Sequence, residues 1–158
     1  MDRSRNLVRH SLWLRHVDCG SCNACESELA MLFSQTYDAQ RYGIEMAASP
    51  RHADGISVAG PVTMQMERAL ERTYEAVGEP RLVVAVGDCA IGSGVHVGGY
   101  AVKAGAAAKK VPVTVAVPGC PPSPGTILQA LRAYMAGGVD SENESDKQDE
   151  DKSEEKAG

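Results

Sequence analysis

Five cysteines are the residues whose types and spacing point most clearly to chemistry. Three of them, Cys19, Cys22 and Cys25, form two overlapping C-x-x-C units, whereas Cys89 and Cys120 stand alone. Each group directly follows a short apolar run that is typical of a buried strand. Five thiols in 158 residues are too few for a disulfide scaffold, and their number is odd. The five cysteines are therefore more typical of metal ligands or reactive thiols than of structural disulfides.

Three kinds of site fit this spacing. A structural zinc site usually has two C-x-x-C knuckles, whereas the later cysteines here are single. A thioredoxin-like thiol pair explains Cys22 and Cys25 but gives Cys89 and Cys120 no role. An iron–sulfur cube needs four thiolates around a cavity, and Cys120 is followed by proline, as in known cluster-binding runs. Spacing alone favours the cluster and leaves zinc and redox thiols open.

The elements that position these cysteines are predicted from apolar periodicity. Apolar runs predict five strands, at Leu12–Val17, Gly43–Ala47, Gly55–Ala59, Leu82–Val86 and Val113–Val117. Helical spacing occurs around residues 25–33, 66–77 and 127–135, and an Ala- and Gly-rich stretch at 98–110 predicts a further short helix. The alternation predicts an α/β fold, a flavodoxin-like doubly wound parallel sheet of four or five strands. The loops that carry the cysteines then meet at its carboxyl edge.

Charge divides the chain into a body and a tail. Residues 1–139 form the predicted α/β domain, which carries 13 basic and 12 acidic residues. Residues 140–158 contain nine acids and three lysines, and we expect this tail to be disordered because it has almost nothing to bury. A nearly neutral body without a basic face excludes nucleic acid as a partner. No apolar run is long enough for a membrane-spanning helix, and the N-terminal stretch lacks the hydrophobic core of a signal peptide. These features predict a cytoplasmic location.

Six motifs occur in order along residues 12–135. They are Cys19-Gly-Ser-Cys-Asn-Ala-Cys-Glu-Ser-Glu28, Tyr42-Gly-Ile44, Ser49-Pro-Arg-His-Ala-Asp54, Gly60-Pro-Val-Thr63, Gly87-Asp-Cys-Ala90 and Val117-Pro-Gly-Cys-Pro-Pro-Ser-Pro124. Together they resemble the small subunit of membrane-bound, energy-converting [NiFe] hydrogenases of the formate hydrogenlyase type. That family is similar to the cluster-bearing 20-kilodalton-type subunit of complex I. The complex I subunit usually has adjacent cysteines and a glutamine where His52 stands, so the C-x-x-C spacing and His52 favour the hydrogenase branch.

The resemblance implies one [4Fe–4S] cluster. Carried over residue by residue, its ligands are Cys22, Cys25, Cys89 and Cys120. This assignment follows from the family pattern, in which a glutamate stands three residues after the cysteine that Cys25 matches. Cys19 is then a spare thiol and the alternative ligand, because Cys19 and Cys22 have the same C-x-x-C spacing.

Three further residues are site candidates through the same resemblance. Glu28 resembles a carboxylate that passes protons near the cluster, although an acid near a helix start is also favoured by the helix dipole alone. Arg51 and His52 resemble a pair that borders the cluster and sets its local charge. The alternative is that both are ordinary surface loop residues.

The implied function is electron transfer as a non-catalytic subunit of an oxidoreductase complex. The cluster would exchange electrons between the [NiFe] site of a separate large subunit and a ferredoxin-like iron–sulfur subunit. Membrane subunits would hold the complex at the inner face of the cytoplasmic membrane. Ala90, Ile91 and Val95, which surround Cys89, would contact a partner. The alternative is the quinone-pocket cluster subunit of a complex I-like NADH:quinone oxidoreductase.

Overall fold

A computed structural model describes residues 10–103, 105 and 111–137. Its strands are β1 (Leu12–Asp18), β2 (Ile44–Met46), β3 (Gly55–Ala59), β4 (Leu82–Val86) and β5 (Val115–Val117). Its α-helices are α1 (Ala24–Met31), α2 (Glu67–Ala76), α3 (Asp88–Ile91) and α4 (Pro124–Met135). Two short 3-10 helices, Ala39–Tyr42 and Pro50–His52, flank β2.

The five strands form one parallel sheet in the order β2-β1-β3-β4-β5. This is the flavodoxin-like order, so the predicted fold class is confirmed. Every residue of β3 and β4 is buried, because helices cover both faces of the sheet. The carboxyl ends of β1, β3, β4 and β5 therefore open onto one edge.

Two separate cores lie on the two faces of the sheet. On one face, α1 and α4 pack through residues such as Leu29 and Ile127 against Leu82 and Val84. On the other face, α2 packs through Leu70 against residues that include Ile56, Val58 and Val83. Successive strand residues point to opposite faces, which divides β4 between the two cores.

Two predicted strands are shorter than expected for local reasons. Gly43 ends a 3-10 helix with φ +77°, so β2 begins only at Ile44. Before β5, Thr114 binds Val83 through both its backbone and its side chain: its N–H donates to the Val83 carbonyl at 2.9 Å and its Oγ1 accepts the Val83 N–H at 3.3 Å, and the strand begins at Val115. The other three strands agree with the prediction to within one residue.

The predicted helix at residues 98–110 is wrong over its described part. Residues 98–103 form turns, and Val102 makes an isolated antiparallel bridge with Thr63. Residues 104 and 106–110 lie outside the described residues, as do the domain boundary at 139 and the predicted disordered tail at 140–158. Among the helices described, none has the length and apolar character needed to cross a membrane.

Candidate functional site

The cysteines lie where three strands end. Cys22 and Cys25 follow β1, Cys89 is the second residue of α3 directly after β4, and Cys120 lies three residues after β5. All five cysteines are free thiols. Cys22 and Cys120 are exposed, Cys89 is half-buried and Cys25 is buried at 9% exposure.

Cys22 and Cys120 both act electrostatically on Cys25 and on Cys89. Burial, then the Glu26 carboxylate, and then the thiols of Cys22, Cys120 and Cys89 together raise the pKa of Cys25 to about 11. Burial, Cys120 and Cys22 likewise raise the pKa of Cys89. Salt largely screens interactions between such charges beyond about 10 Å. The structure therefore brings Cys22, Cys25, Cys89 and Cys120 to one edge of the sheet.

Cys19 belongs to the other face of the sheet. It is fully buried in the core that α2 covers, whereas Cys25 belongs to the core of α1 and α4. Its N–H donates to the Ala59 carbonyl at 3.0 Å, and its carbonyl accepts the Thr63 N–H at 3.1 Å. Burial, Asp18 and Glu26 raise the pKa of Cys19 to about 12, and no other cysteine contributes.

A polar network shapes the loop between Cys19 and Cys25. The Asp18 carboxylate accepts the N–H groups of Gly20 and Ser21 at 2.8 and 2.9 Å. Burial acts to raise the pKa of Asp18, but these hydrogen bonds outweigh it, so the pKa is lowered. Ser21 accepts the Asn23 N–H at 3.0 Å and donates to Glu26 at 2.6 Å. The loop is thereby tied to the first turn of α1, which carries Cys25.

Two glycines make room for the thiols. A Cβ at Gly87, which has φ +89°, would lie 2.6 Å from Cys25 Sγ. A Cβ at Gly94 would overlap both Cys89 Sγ and the Cys89 backbone. The backbone N–H of His96 donates to the Cys89 sulfur, which opposes the rise in its pKa. A peptide N–H that points at a ligand sulfur is a common feature of iron–sulfur sites.

A half-buried pair, His16 and Glu26, was not predicted as part of the site. His16 Nε2 lies 3.7 Å from Glu26 Oε1, and His16 Nδ1 lies 3.2 Å from Ser57 Oγ. Burial lowers the pKa of His16 even though Glu26 and Asp18 act to raise it. The alternation of β1 is the one sequence signal for this pair, since it directs His16 to the same face as Leu12 and Leu14. Glu28, the predicted carboxylate, lies half-buried on α1 two residues beyond Glu26.

Arg51 and His52 lie in the 3-10 helix between β2 and β3. Both side chains are exposed, and the helix packs beside β1 and α2. Ser49 caps this helix by accepting the Arg51 N–H at 3.4 Å. Neither residue is among the charged groups that shift the pKa values of the cysteines. Their role at the site stays a prediction.

An exposed apolar patch flanks Cys89. It consists of Met64, Val95, Val97 and Tyr100, and Val95 and Tyr100 are 85% and 100% exposed. Hydrogen bonds from Met64 N–H to the Ala101 carbonyl and from Lys103 N–H to the Val62 carbonyl hold the loop that presents it. Of the predicted partner contacts, Val95 is on this patch, but Ala90 is not accessible. Ala90 is fully buried because α3 packs its small side chain against the sheet.

The chain was compared with known families and structures. The family described as "NADH ubiquinone oxidoreductase, 20 Kd subunit" matches residues 22–134. The chain belongs to this family. The prediction of a subunit of an oxidoreductase complex is therefore confirmed. The matched range contains four of the five cysteines.

The relatives confirm the resemblance to the hydrogenase branch. The chain is 40% identical over 124 residues to the probable membrane-bound hydrogenase subunit mbhJ of Pyrococcus furiosus. The aligned residues cover 78% of this chain and 74% of that protein. It is 38% identical over 121 residues to formate hydrogenlyase subunit 7 of Escherichia coli, covering 77% of this chain and 47% of that protein. A chain in the structure of an archaeal membrane-bound sulfane sulfur reductase matches with a TM-score of 0.71 at 31% identity, covering 83% of this chain and 72% of that one.

Proposed function

We propose that the chain is an electron-transfer subunit that holds one [4Fe–4S] cluster through Cys22, Cys25, Cys89 and Cys120. The observation that carries this proposal is geometric: Cys25 Sγ lies 2.6 Å from the position of a Cβ at Gly87, which itself lies 3.3 Å from the Gly119 carbonyl oxygen, so Cys25 adjoins the loops that carry Cys89 and Cys120. When bound, the cluster supplies a carrier that accepts and releases one electron at a time. Thiolates are the ligands that such clusters take from proteins.

The residues around the thiols fit a bulky inorganic group. Gly87 and Gly94 leave no side-chain atoms against Cys25 and Cys89, and the His96 N–H already points at a sulfur. Among the described residues, no three His, Cys, Asp or Glu side chains lie close enough together to hold a single metal ion. A cube lies between its four thiolates, so its ligands need no such group.

Cys19 is the spare thiol in this proposal. A ligand must be deprotonated to bind iron, and Cys19 is buried on the α2 side of the sheet, where burial and two carboxylates oppose ionisation. Cys25 is also buried, but it lies beside the other three thiols, whose common metal would stabilise its thiolate.

We further propose that the subunit transfers electrons between a [NiFe] large subunit and a ferredoxin-like iron–sulfur subunit. The relatives named as hydrogenase and formate hydrogenlyase subunits support this assignment. The patch of Met64, Val95, Val97 and Tyr100 is the surface that the large subunit would cover, because apolar side chains this exposed are typical of interfaces. Membrane subunits would attach the complex to the cytoplasmic face of the membrane.

The second candidate is a quinone-pocket subunit of a complex I-like enzyme, which the description of the matched family favours. Iron and nickel quantification on the native complex, purified without oxygen, distinguishes the two. Four irons per chain together with nickel in the partner support the hydrogenase assignment. Four irons without nickel support the quinone assignment, and zinc without iron contradicts both.

Serine substitutions test the ligand set in the same complex. We expect Cys22→Ser, Cys25→Ser, Cys89→Ser and Cys120→Ser each to remove or alter the paramagnetic signal of the reduced cluster. Cys19→Ser is the matched control, since it makes the same change within the same loop. A signal that disappears in Cys19→Ser but persists in Cys25→Ser would contradict this ligand set, because Cys19 would then be a ligand in place of Cys25.

A further inference from the structure

The loops that carry Cys89 and Cys120 are joined by a pair of hydrogen bonds at Asp88. The Asp88 N–H donates to the Gly119 carbonyl at 2.9 Å. In return, the Gly119 N–H donates to Asp88 Oδ1 at 2.7 Å. Asp88 directly precedes Cys89 and Gly119 directly precedes Cys120, so this link joins two cysteines that are 31 positions apart.

The side chain of Asp88 takes the place of a backbone group. Val86 pairs with Val117 in the parallel ladder, and the Gly87 N–H continues it to the Val117 carbonyl at 2.8 Å. The next bond of a parallel ladder would run from the Gly119 N–H to the Gly87 carbonyl. That carbonyl instead accepts the Ala90 and Ile91 N–H groups in the first turn of α3. The Asp88 carboxylate therefore accepts the Gly119 N–H in place of the Gly87 carbonyl.

The backbone of the same residue also holds the loop after α3. The Asp88 carbonyl accepts the N–H groups of Gly92, Ser93 and Gly94 at 2.9, 2.9 and 3.1 Å. Gly94 is the residue that lies against Cys89 Sγ. Asp88 thus contacts the segment before Cys120 and the segment that covers Cys89.

We propose that Asp88 is a positioning residue, whose carboxylate oxygen holds the Cys89 and Cys120 loops at the separation that the cluster requires. This proposal rests on the proposed function, since it assumes that both cysteines are ligands. The oxygen acts as a hydrogen-bond acceptor. Asp88→Asn keeps an oxygen acceptor without the charge, whereas Asp88→Ala removes the acceptor.

The test measures iron release to a chelator from the native complex, together with amide hydrogen exchange at Gly119. In Asp88→Ala we expect at least tenfold faster iron release and faster Gly119 exchange, and in Asp88→Asn both should stay close to wild type. Asp54→Ala is the matched control, because the Asp54 carboxylate also accepts a backbone N–H, that of Trp13 at 2.8 Å, before β3. It should leave iron release unchanged.

Different results overturn the two proposals. Wild-type complex without iron in this chain would contradict the proposed function. Iron present in the wild type, with unchanged release and unchanged Gly119 exchange in Asp88→Ala, would overturn only the role of Asp88. If Asp88→Ala does not assemble, Asp88→Asn decides: wild-type behaviour supports the acceptor role, and rapid iron loss overturns it because charge alone would then matter.

Discussion

Gly87→Ala should weaken cluster binding because it places an atom against Cys25, one of the proposed ligands. The added Cβ would lie 2.6 Å from Cys25 Sγ and 3.3 Å from the Gly119 carbonyl oxygen. The backbone at φ +89° and ψ 156° is also strained for any residue with a Cβ. Such strain costs about 1–3 kcal/mol, and overpacking adds about 1–3 kcal/mol. The sum is a large fraction of a typical unfolding free energy of about 5–15 kcal/mol.

Gly98→Ala separates these two contributions. Gly98 has a similar φ of +86°, but a Cβ there would meet no atom within 4 Å. Its substitution should therefore carry the backbone strain alone. The difference between the variants then reports the contacts of the added Cβ with Cys25 Sγ and the Gly119 oxygen, about 1–3 kcal/mol, which corresponds to roughly 5- to 150-fold in an equilibrium constant.

The assay is iron per chain, the reduced-state paramagnetic signal and the rate of iron release to a chelator, all on complexes prepared without oxygen. We expect Gly87→Ala to lose iron or release it at least fivefold faster than Gly98→Ala. Equal iron content and equal release rates in the two variants would refute the reasoning. The thiol of Cys25 would then be free to move away from Gly87 without consequence for the site.

Four further predictions concern other parts of the chain. Burial lowers the pKa of His16 in the folded state, so its contribution to stability is present above an unfolded pKa of about 6.5 and is lost as the pH falls through the folded value. The unfolding midpoint of the chain should therefore drop more on acidification below that pH than it does in His16→Gln, and equal drops would contradict this. Cys19→Ala should reduce the unfolding free energy by about 1 kcal/mol, because the thiol is fully buried, while iron content stays at the wild-type value; loss of iron would make Cys19 a ligand. Arg51→Gln should lower the reduction potential of the cluster if this arginine borders it as the resemblance implies, and an unchanged potential in a redox titration would remove Arg51 from the site. Deletion of residues 141–158 should leave hydrogen- or quinone-linked turnover unchanged, since the segment has no large apolar side chain to pack, and a tenfold loss, about 1.4 kcal/mol, would show specific docking.

Local patterns determine much of this protein. The run Leu82–Val86 is apolar throughout, Gly55–Ala59 is apolar except for the buried Ser57, and both are strands with those same bounds. A strand covered on both faces needs no alternation, so its limits can be read directly from the sequence. The parallel order then places the loops after β1, β4 and β5 at one edge, which explains why the approximate location of the cysteines is predictable.

The predictions fail where a residue's environment depends on distant partners. Residues 98–103 begin the Ala- and Gly-rich stretch that predicted a short helix, but Thr63 and Val102 pair and hold these residues in turns. Ala90 looks like a small surface residue in sequence, yet it is fully buried where α3 packs against the sheet. Neither outcome is visible locally, because packing between elements overrides short-range preference.

The sequence by itself determined that five thiols follow three buried strands, because strand periodicity and cysteine spacing are local properties. Only the tertiary structure decided which thiols share an environment. The chain passes over the end of β1 between Cys19 and Cys25, so these two thiols enter different cores. It also brought Asp88 to Gly119 across 31 positions. Such relationships arise because one sheet edge gathers loops that are remote in sequence, and no spacing rule within a single loop encodes them.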